Sequence, residues 1–374
     1  ARGKFRTARI NVTQALVAVT VFASIPSLVA LIFPDTLLRL LGASAYLLPQ
    51  AREYMLWSVP SWLFTMWVAV SLFVIRLDGR PRLAMACSLI SAGINVVLDW
   101  AFIFPLGWGV KGAAIATSIS VVIGGLIAVG YLLLYARFLR LYPIKWSRKS
   151  MRLFIRNIGY QCRIGSSALL AEATLATLMF MGNHLFMHYL GEHGVGAFGI
   201  ACYYTPFVFM VGNAIAQSAQ PIISYNFGAG CRQRVQKTIR IALLTAVLCG
   251  AAVTSLFVCI PHLLVGLFIS PNDPTFAIAT SGFPYYAAGF IFFILNLTTI
   301  GYYQSLERVG PATLLALLRG FFFLIPAFLL LPRWLDTPGI WLALSCSELL
   351  TTLCSLSFYL FRTCCVRKQR CAKG

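Results

Sequence analysis

The sequence predicts an all-α polytopic membrane protein: a two-lobe helix bundle on a pseudo-symmetric twelve-helix plan, with ten helices present. Three observations predict the membrane-spanning helices, and an internal repeat extends them to the twelve-helix plan. Of the 374 residues, 59% are hydrophobic and only 11% are charged, where a soluble domain carries roughly 25% charged residues. The apolar residues fall in runs of about 20, the length of a helix that crosses a bilayer. Lys and Arg gather in alternate connections between those runs, the positive-inside pattern that sets topology.

The first expected span, 11–33, follows the basic opening Arg2, Lys4, Arg6 and Arg9. Spans 54–75 and 83–104 flank a second basic turn, with Arg76, Arg80 and Arg82. The fourth, 112–135, runs into the most basic connection, Arg137 through Arg163. Spans 166–187 and 198–223 lead to Arg232, Arg234, Lys237 and Arg240, ahead of span 239–260. Spans 282–303, 312–331 and 339–361 complete the set and end in a basic tail. With both ends inside, 25 of the 30 Lys and Arg fall on the cytoplasmic side. Arg39, Arg52, Lys111 and Arg333 fall outside, and Arg319 lies within a span. The net charge of +20 is therefore topological. Nothing resembles a nucleic-acid recognition motif, and no nucleic acid partner is expected. The cysteines show no metal-site spacing and read as small apolar fillers or reduced thiols, among them Cys364, Cys365 and Cys371 of the tail.

The chain repeats itself. "ARGKFRTARI" at the start echoes "AGCRQRVQKTI" at 229–239, "LIFPD" echoes "LFISPND", and "PLGWGVKGAAIA" echoes "PRWLDTPGIWLA". The echoes lie an even number of spans apart, so the halves share one orientation in the membrane. The expected organisation is an N-terminal lobe over 1–140, a basic cytoplasmic linker over 141–164 and a C-terminal lobe with its tail over 165–374. Two spans precede the basic linker of the second half, and none precedes Ala1. The expectation is that a twelve-span protein is represented here by ten.

The stretches "NVVLDWAFIFPLGWGVKGAAIATSIS" (95–120), "NAIAQSAQPIISYNFGAG" (213–230) and "YYQSLERVGPATLLALLR" (302–319) resemble the multidrug and toxic compound extrusion family of secondary transporters, in its bacterial branch. The resemblance implies an inner-membrane exporter of two six-helix lobes around a central cavity, with both ends cytoplasmic. It implies export of organic compounds, often cationic and aromatic, in exchange for H⁺ or Na⁺. Small-molecule drugs and membrane lipids are the expected partners, the protein is expected to be a monomer, and no cofactor is implied beyond the coupling ion.

A charge at the centre of a bilayer costs about 2.5–3.5 kcal/mol on insertion scales, and only Asp99, Glu172 and Glu348 lie well inside expected spans. Asp99 sits about 8 Å from the outer end of its span, and Asn95, four residues back, shares its face. A carboxylate beside an amide in a low-dielectric pocket can hold a proton or coordinate Na⁺. The resemblance assigns Asn95 and Asp99 to a first-lobe cation site, which family members complete with an aspartate on a helix this chain does not contain. It also assigns Glu172 to a second-lobe cation or substrate site. Asn296 falls where sodium-coupled relatives place an aspartate; asparagine coordinates a cation but cannot take up a proton, so Asp99 becomes the leading coupling residue.

Glu348 shares a face with Ser345, Thr352 and Ser355, and Arg319, the lone basic residue within a span, is expected to be paired, with Glu348 a candidate partner. Both belong to the expected substrate cavity, as do Asn213, Gln217 and Gln220, a polar stripe that continues to Ser224 at helical spacing. Tyr286 and Tyr303, with Tyr203, Tyr204, Phe207 and Phe290, are candidates to stack on a cationic drug. Pro206, Pro221, Pro284 and Pro326 are candidate hinges. His184 and His188, four apart, and His193 read as a polar helix end, and no metal is expected. No nucleophile–base pair, phosphate loop or nucleotide signature appears, so neither an enzyme nor an ATP-driven pump is expected. Two further readings stay open: a flippase for lipid-linked precursors, which shares the two-lobe plan, and a fragment without transport activity of its own.

Overall fold

A computed structural model describes residues 5–40, 48–143 and 147–371, with no side chains described for Leu40, Lys149 and 359–371. The tail thiols Cys364, Cys365 and Cys371 lie outside the described side chains. Two compact units divide the chain, Arg2–Tyr160 and Gln161–Gly374.

In the first unit, α1 (Phe5–Ile32) is followed by the short α2 (Pro34–Leu40), then α3 (Leu48–Leu77), α4 (Pro81–Ile103) and α5 (Gly109–Leu134). Pro81 opens α4 at a position whose N–H has no helical partner in any case. The helix α5 packs against both α3 and α4, and two adjacent glycines allow it. A Cβ at Gly124 would meet the Ser91 hydroxyl at 3.0 Å, and one at Gly125 would meet the Phe64 ring at 2.9 Å. Leu16, Val74, Ile75 and Leu132 fill the interior beneath this contact. On α4, by contrast, Val96, Val97 and Trp100 are exposed. In lipid such a face needs no protein cover.

The long α6 (Arg148–Gly228) carries the chain from the first unit into the second. It holds two of the expected spans, divided at Gly191, whose φ of 64° and ψ of −155° break the helix. Glycine adopts that conformation without the steric penalty of a side chain. The second unit continues with α7 (Arg232–Cys259), α8 (Pro261–Gly266), α9 (Pro274–Ala287), α10 (Phe290–Ser305), α11 (Val309–Leu317), a π-helical turn (Leu318–Phe322) and α12 (Leu324–Cys371). A kink at Asp336 (φ 51°, ψ −130°) divides the last two spans within α12. The core is aromatic: Phe186, Phe198, Phe257, Phe283, Phe290, Phe293 and Trp341 are all buried together. The helix α10 packs against α7, α11 and α12.

Among the described residues, seven helices are long and apolar enough to cross a membrane, and α9 with α10 makes an eighth, bent by 46°. All ten expected spans fall on these helices, since α6 and the stretch from α11 through α12 each hold two.

Two spans are less regular than the sequence suggested. The stretch 282–303 is broken between Ala287 and Phe290. At the break the Ser345 hydroxyl donates to the carbonyls of Tyr285 (2.8 Å) and Tyr286 (3.0 Å). The Thr254 hydroxyl donates to the Ala287 carbonyl at 3.1 Å. Side chains thus satisfy carbonyls that a continuous helix would satisfy itself. The stretch 312–331 contains the π turn, where the Ser347 hydroxyl donates to the Arg319 carbonyl at 2.6 Å.

Candidate functional site

In the second unit the polar centre is a network of three helices. Arg319, on the π turn, places Nη2 2.7 Å and Nε 3.0 Å from Glu348 Oε1. Asn296 on α10 donates from Nδ2 to Glu348 Oε2 at 2.7 Å and to the Glu348 carbonyl at 2.9 Å. Its Oδ1 accepts from the Thr352 hydroxyl at 3.1 Å. The guanidinium lies over the Phe293 ring, 4.4 Å from its centroid. Arg319 and Glu348 are both 0% exposed. Both Glu348 oxygens therefore meet donors, and the positive charge beside them is matched. Gly320 makes room for this arrangement: a Cβ there would overlap the Thr174 hydroxyl on α6.

The other second-unit candidates are scattered. Glu172, on α6, is exposed. Gln220 donates to Gln304 at 2.9 Å, and Gln304 in turn donates to Ser167 at 3.0 Å. Ser224 donates to the Ser305 carbonyl at 3.2 Å. The lower part of the polar stripe thus ties α6 to α10. Asn213 is half-buried and Gln217 exposed. Tyr303 is half-buried and lines a cleft beside α7.

Three residues expected to line a substrate cavity do not. Tyr286 is 1% exposed, packed edge-on to Phe198, Phe290 and Trp341, with its hydroxyl 2.7 Å from that of Thr205. Its ring packs into the aromatic core. Arg319 and Glu348 turn to each other because burial of either charge alone is far more costly than burial of the pair. Of the remaining aromatics, Phe290 is also in the core, whereas Tyr203 and Phe207 are exposed. The ring of His193 lies 3.2 Å from the Thr275 hydroxyl. Among the described residues no group of three or more His, Cys, Asp or Glu is placed to hold a metal.

In the first unit, Asn95 lines a chamber of about 280 Å³ between α3, α4 and α5, with Ser88, Ser91, Thr117 and Ser120 around it. Its Nδ2 lies 3.5 Å from the Thr117 hydroxyl. One turn along α4, Asp99 is half-buried, and its Oδ1 is buried without a hydrogen-bond partner. Asp99 and Glu348 are thus opposites: one has an oxygen that no donor satisfies, the other has both oxygens satisfied.

One polar residue escaped the sequence reading. Asp78, in the turn after α3, is 5% exposed. Its carboxylate accepts from the backbone N–H groups of Arg137 (3.0 Å), Phe138 (2.8 Å) and Leu139 (3.0 Å) and from the Tyr131 hydroxyl (3.0 Å). Burial pushes its pKa up, but these four donors outweigh burial and hold it below the ordinary carboxylate value. Arg9 adds bonds to the carbonyls of Arg137 and Phe138. Together these contacts pin the segment that follows α5.

Helices of this length and apolarity, broken at polar contacts and divided into two units, define a polytopic membrane protein with buried ionisable groups, the build of a transporter. The MatE family model matches residues 1–101 and 168–329, and the chain belongs to that family. It is 26% identical over 345 residues to the multidrug export protein MepA of Staphylococcus aureus, which covers 90% of this chain and 72% of that one. The MepA of Staphylococcus haemolyticus is 27% identical over 254 residues, 68% of this chain and 54% of that one. In fold the chain is similar to a MOP superfamily transporter from Pyrococcus furiosus, with a TM-score of 0.84 at 18% identity, over 95% of this chain and 78% of that one. It is also similar to a multidrug resistance MATE family transporter in an outward-facing conformation, with a TM-score of 0.83 at 19% identity, over 96% and 79%.

Proposed function

We propose that the protein is an efflux antiporter that exports organic, often cationic and aromatic, compounds in exchange for protons, with Asp99 as the group that carries the proton. The observation behind this reading is the buried Oδ1 of Asp99, which no donor reaches. An ionised oxygen in that position is costly, and a proton removes the cost. Asn95, on the same face, supplies an amide to the cavity between α3, α4 and α5. Protonation from outside neutralises Asp99, relaxes the packing of α4 within the first unit and favours release of drug. Return of the charge favours drug uptake from the cytoplasm. The MepA relatives, named as multidrug export proteins, support the substrate class.

Sodium is the second candidate for coupling ion. In the second unit, Asn296 and Glu348 already bind each other and Arg319, which leaves no carboxylate oxygen there free for a metal ion. The same pairing weighs against a flippase, since a phosphate finds no uncovered guanidinium at Arg319. Glu172, exposed on α6, is the other acid well inside the second unit's expected spans and serves here as a drug-binding group. We place the protein, as a monomer, in a bacterial plasma membrane with its basic connections and both ends in the cytoplasm.

The test uses the full reading frame reconstituted in vesicles with an inward proton gradient. Asp99→Asn is expected to insert normally and lose gradient-driven dye export. Normal export by that variant would overturn the assignment.

A further inference from the structure

A second polar opening reaches the edge of the buried network at Asn296 and Thr352 and remains unexplained by export. Between α7 and α12, floored by α10, runs a cleft of about 470 Å³. Its lining includes Gln236, Arg240 and Leu243 from α7, Tyr303 from α10, and Ser355 and Leu356 from α12. Gln236, Arg240 and Leu243 recur at helical spacing, so one face of α7 supplies them. Arg240 is the one charged residue in that lining, and no acid joins it. Asn296, in the lining, donates to the Glu348 carboxylate, which also pairs with Arg319.

The cleft joins two chemistries. Arg240 continues the exposed basic run Arg232, Arg234 and Lys237 that opens α7. Leu243 and Leu356 are among its walls, and Leu244, Leu248 and Leu353, beside them in the sequence or on the same helices, are exposed. In a membrane those leucines face hydrocarbon, so the cleft opens onto lipid. An organic cation would meet Arg240 and find no counter-charge. A molecule with an anionic head and an apolar tail matches the arginine and the exposed leucines.

We propose that this cleft is a binding site for an anionic phospholipid. The phosphate sits at the guanidinium of Arg240, with Gln236 and the Tyr303 hydroxyl as further donors, and an acyl chain lies between α7 and α12. A basic pocket between membrane helices at the headgroup level is suited to such a lipid, and an arginine binds a phosphate with paired donors rather than as a point charge. The proposal stands independently of the coupling role given to Asp99.

The test is a lipid titration of the delipidated full-length protein, read by native mass spectrometry. The ligands are phosphatidylglycerol, phosphatidylcholine and glycerol 3-phosphate. Phosphatidylglycerol is expected to bind in preference to phosphatidylcholine, and glycerol 3-phosphate, which has the head without the tail, is expected not to bind. Arg240→Gln is expected to weaken phosphatidylglycerol binding about fivefold, equivalent to about 1 kcal/mol. Arg234→Gln, in the same basic run but outside the cleft, is expected to leave it unchanged. Ser355→Trp, which fills the cleft from the opposite wall, is expected to block binding without any change of charge, and so keeps the test open should Arg240→Gln fail to fold. Equal binding of the two lipids, binding of glycerol 3-phosphate alone, equal loss in the two arginine variants, or full binding by Ser355→Trp would each overturn the proposal.

Discussion

Asp99 in the first unit and Glu348 in the second are both carboxylates on membrane-spanning helices, and they solve the cost of burial in opposite ways. Glu348 is surrounded: a guanidinium and an amide meet its oxygens, and its helix is anchored to the π turn by Ser347. Asp99 has an oxygen buried with no donor at all. The contrast fits a structural role for the Glu348 pair and the coupling role proposed for Asp99.

The largest effect should come from unbalancing the matched acid. Glu348→Ala leaves Arg319 buried and uncompensated, and is expected to destabilise the second unit by about 3–5 kcal/mol. Thermal unfolding of the purified protein measures this. If the pair is structural, the double change of Arg319 and Glu348 to Met should recover most of the loss, because apolar replacement of a whole buried pair is often neutral. Recovery of stability with export intact would sharpen the contrast with Asp99; loss of export despite recovery would break it.

A smaller effect is expected beside the same network. Gly320→Ala drives a methyl group into the Thr174 hydroxyl, and overpacking of this kind costs about 1–3 kcal/mol. The double variant with Thr174→Ala should relieve part of that cost. Failure of the double variant to recover would show that the π turn, rather than the contact with α6, needs glycine.

Asp78 offers a comparison on the first unit's side, since it is a third buried carboxylate and fully matched like Glu348. Asp78→Asn removes the charge that four donors favour and is expected to cost about 1–3 kcal/mol. Because its folded pKa is depressed, the stabilisation is present at neutral pH and lost only as pH falls through that depressed value. The stability difference between wild type and Asp78→Asn should therefore be flat from neutral to mildly acid pH and narrow only in strong acid. A difference that already narrows near neutrality would contradict the four-donor account. The smallest effect is expected at Thr352→Val, which deletes one bond to Asn296; a loss of about 0.5–1.5 kcal/mol in thermal unfolding would fit a peripheral member of the network.

The spans were legible because length and apolarity are properties of contiguous sequence, and every expected stretch falls on a helix. The pairing of Arg319 with Glu348 was legible for a different reason: a lone buried arginine requires a carboxylate, and few acids lie in the spans. Asp78 was not legible, because an acid in a basic turn looks solvated. Its partners are backbone N–H groups about 60 residues away, which carry no residue-type signal. The break after Ala287 depends on Ser345, and the π turn on Ser347, both distant in the chain. The burial of Tyr286 was hidden because Tyr285 and Tyr286 are adjacent on a helix of weak amphipathicity, and the sequence gives no sign of which ring faces the core.

The central claim is that Asp99 changes its protonation as drug binds and leaves. Its most direct measurement is proton release into weakly buffered solution when a cationic dye is added to the purified full-length protein. Wild type should release protons on binding, the double Met variant of Arg319 and Glu348 should do the same, and Asp99→Asn should bind dye with none released. Undiminished proton release by Asp99→Asn would contradict the account.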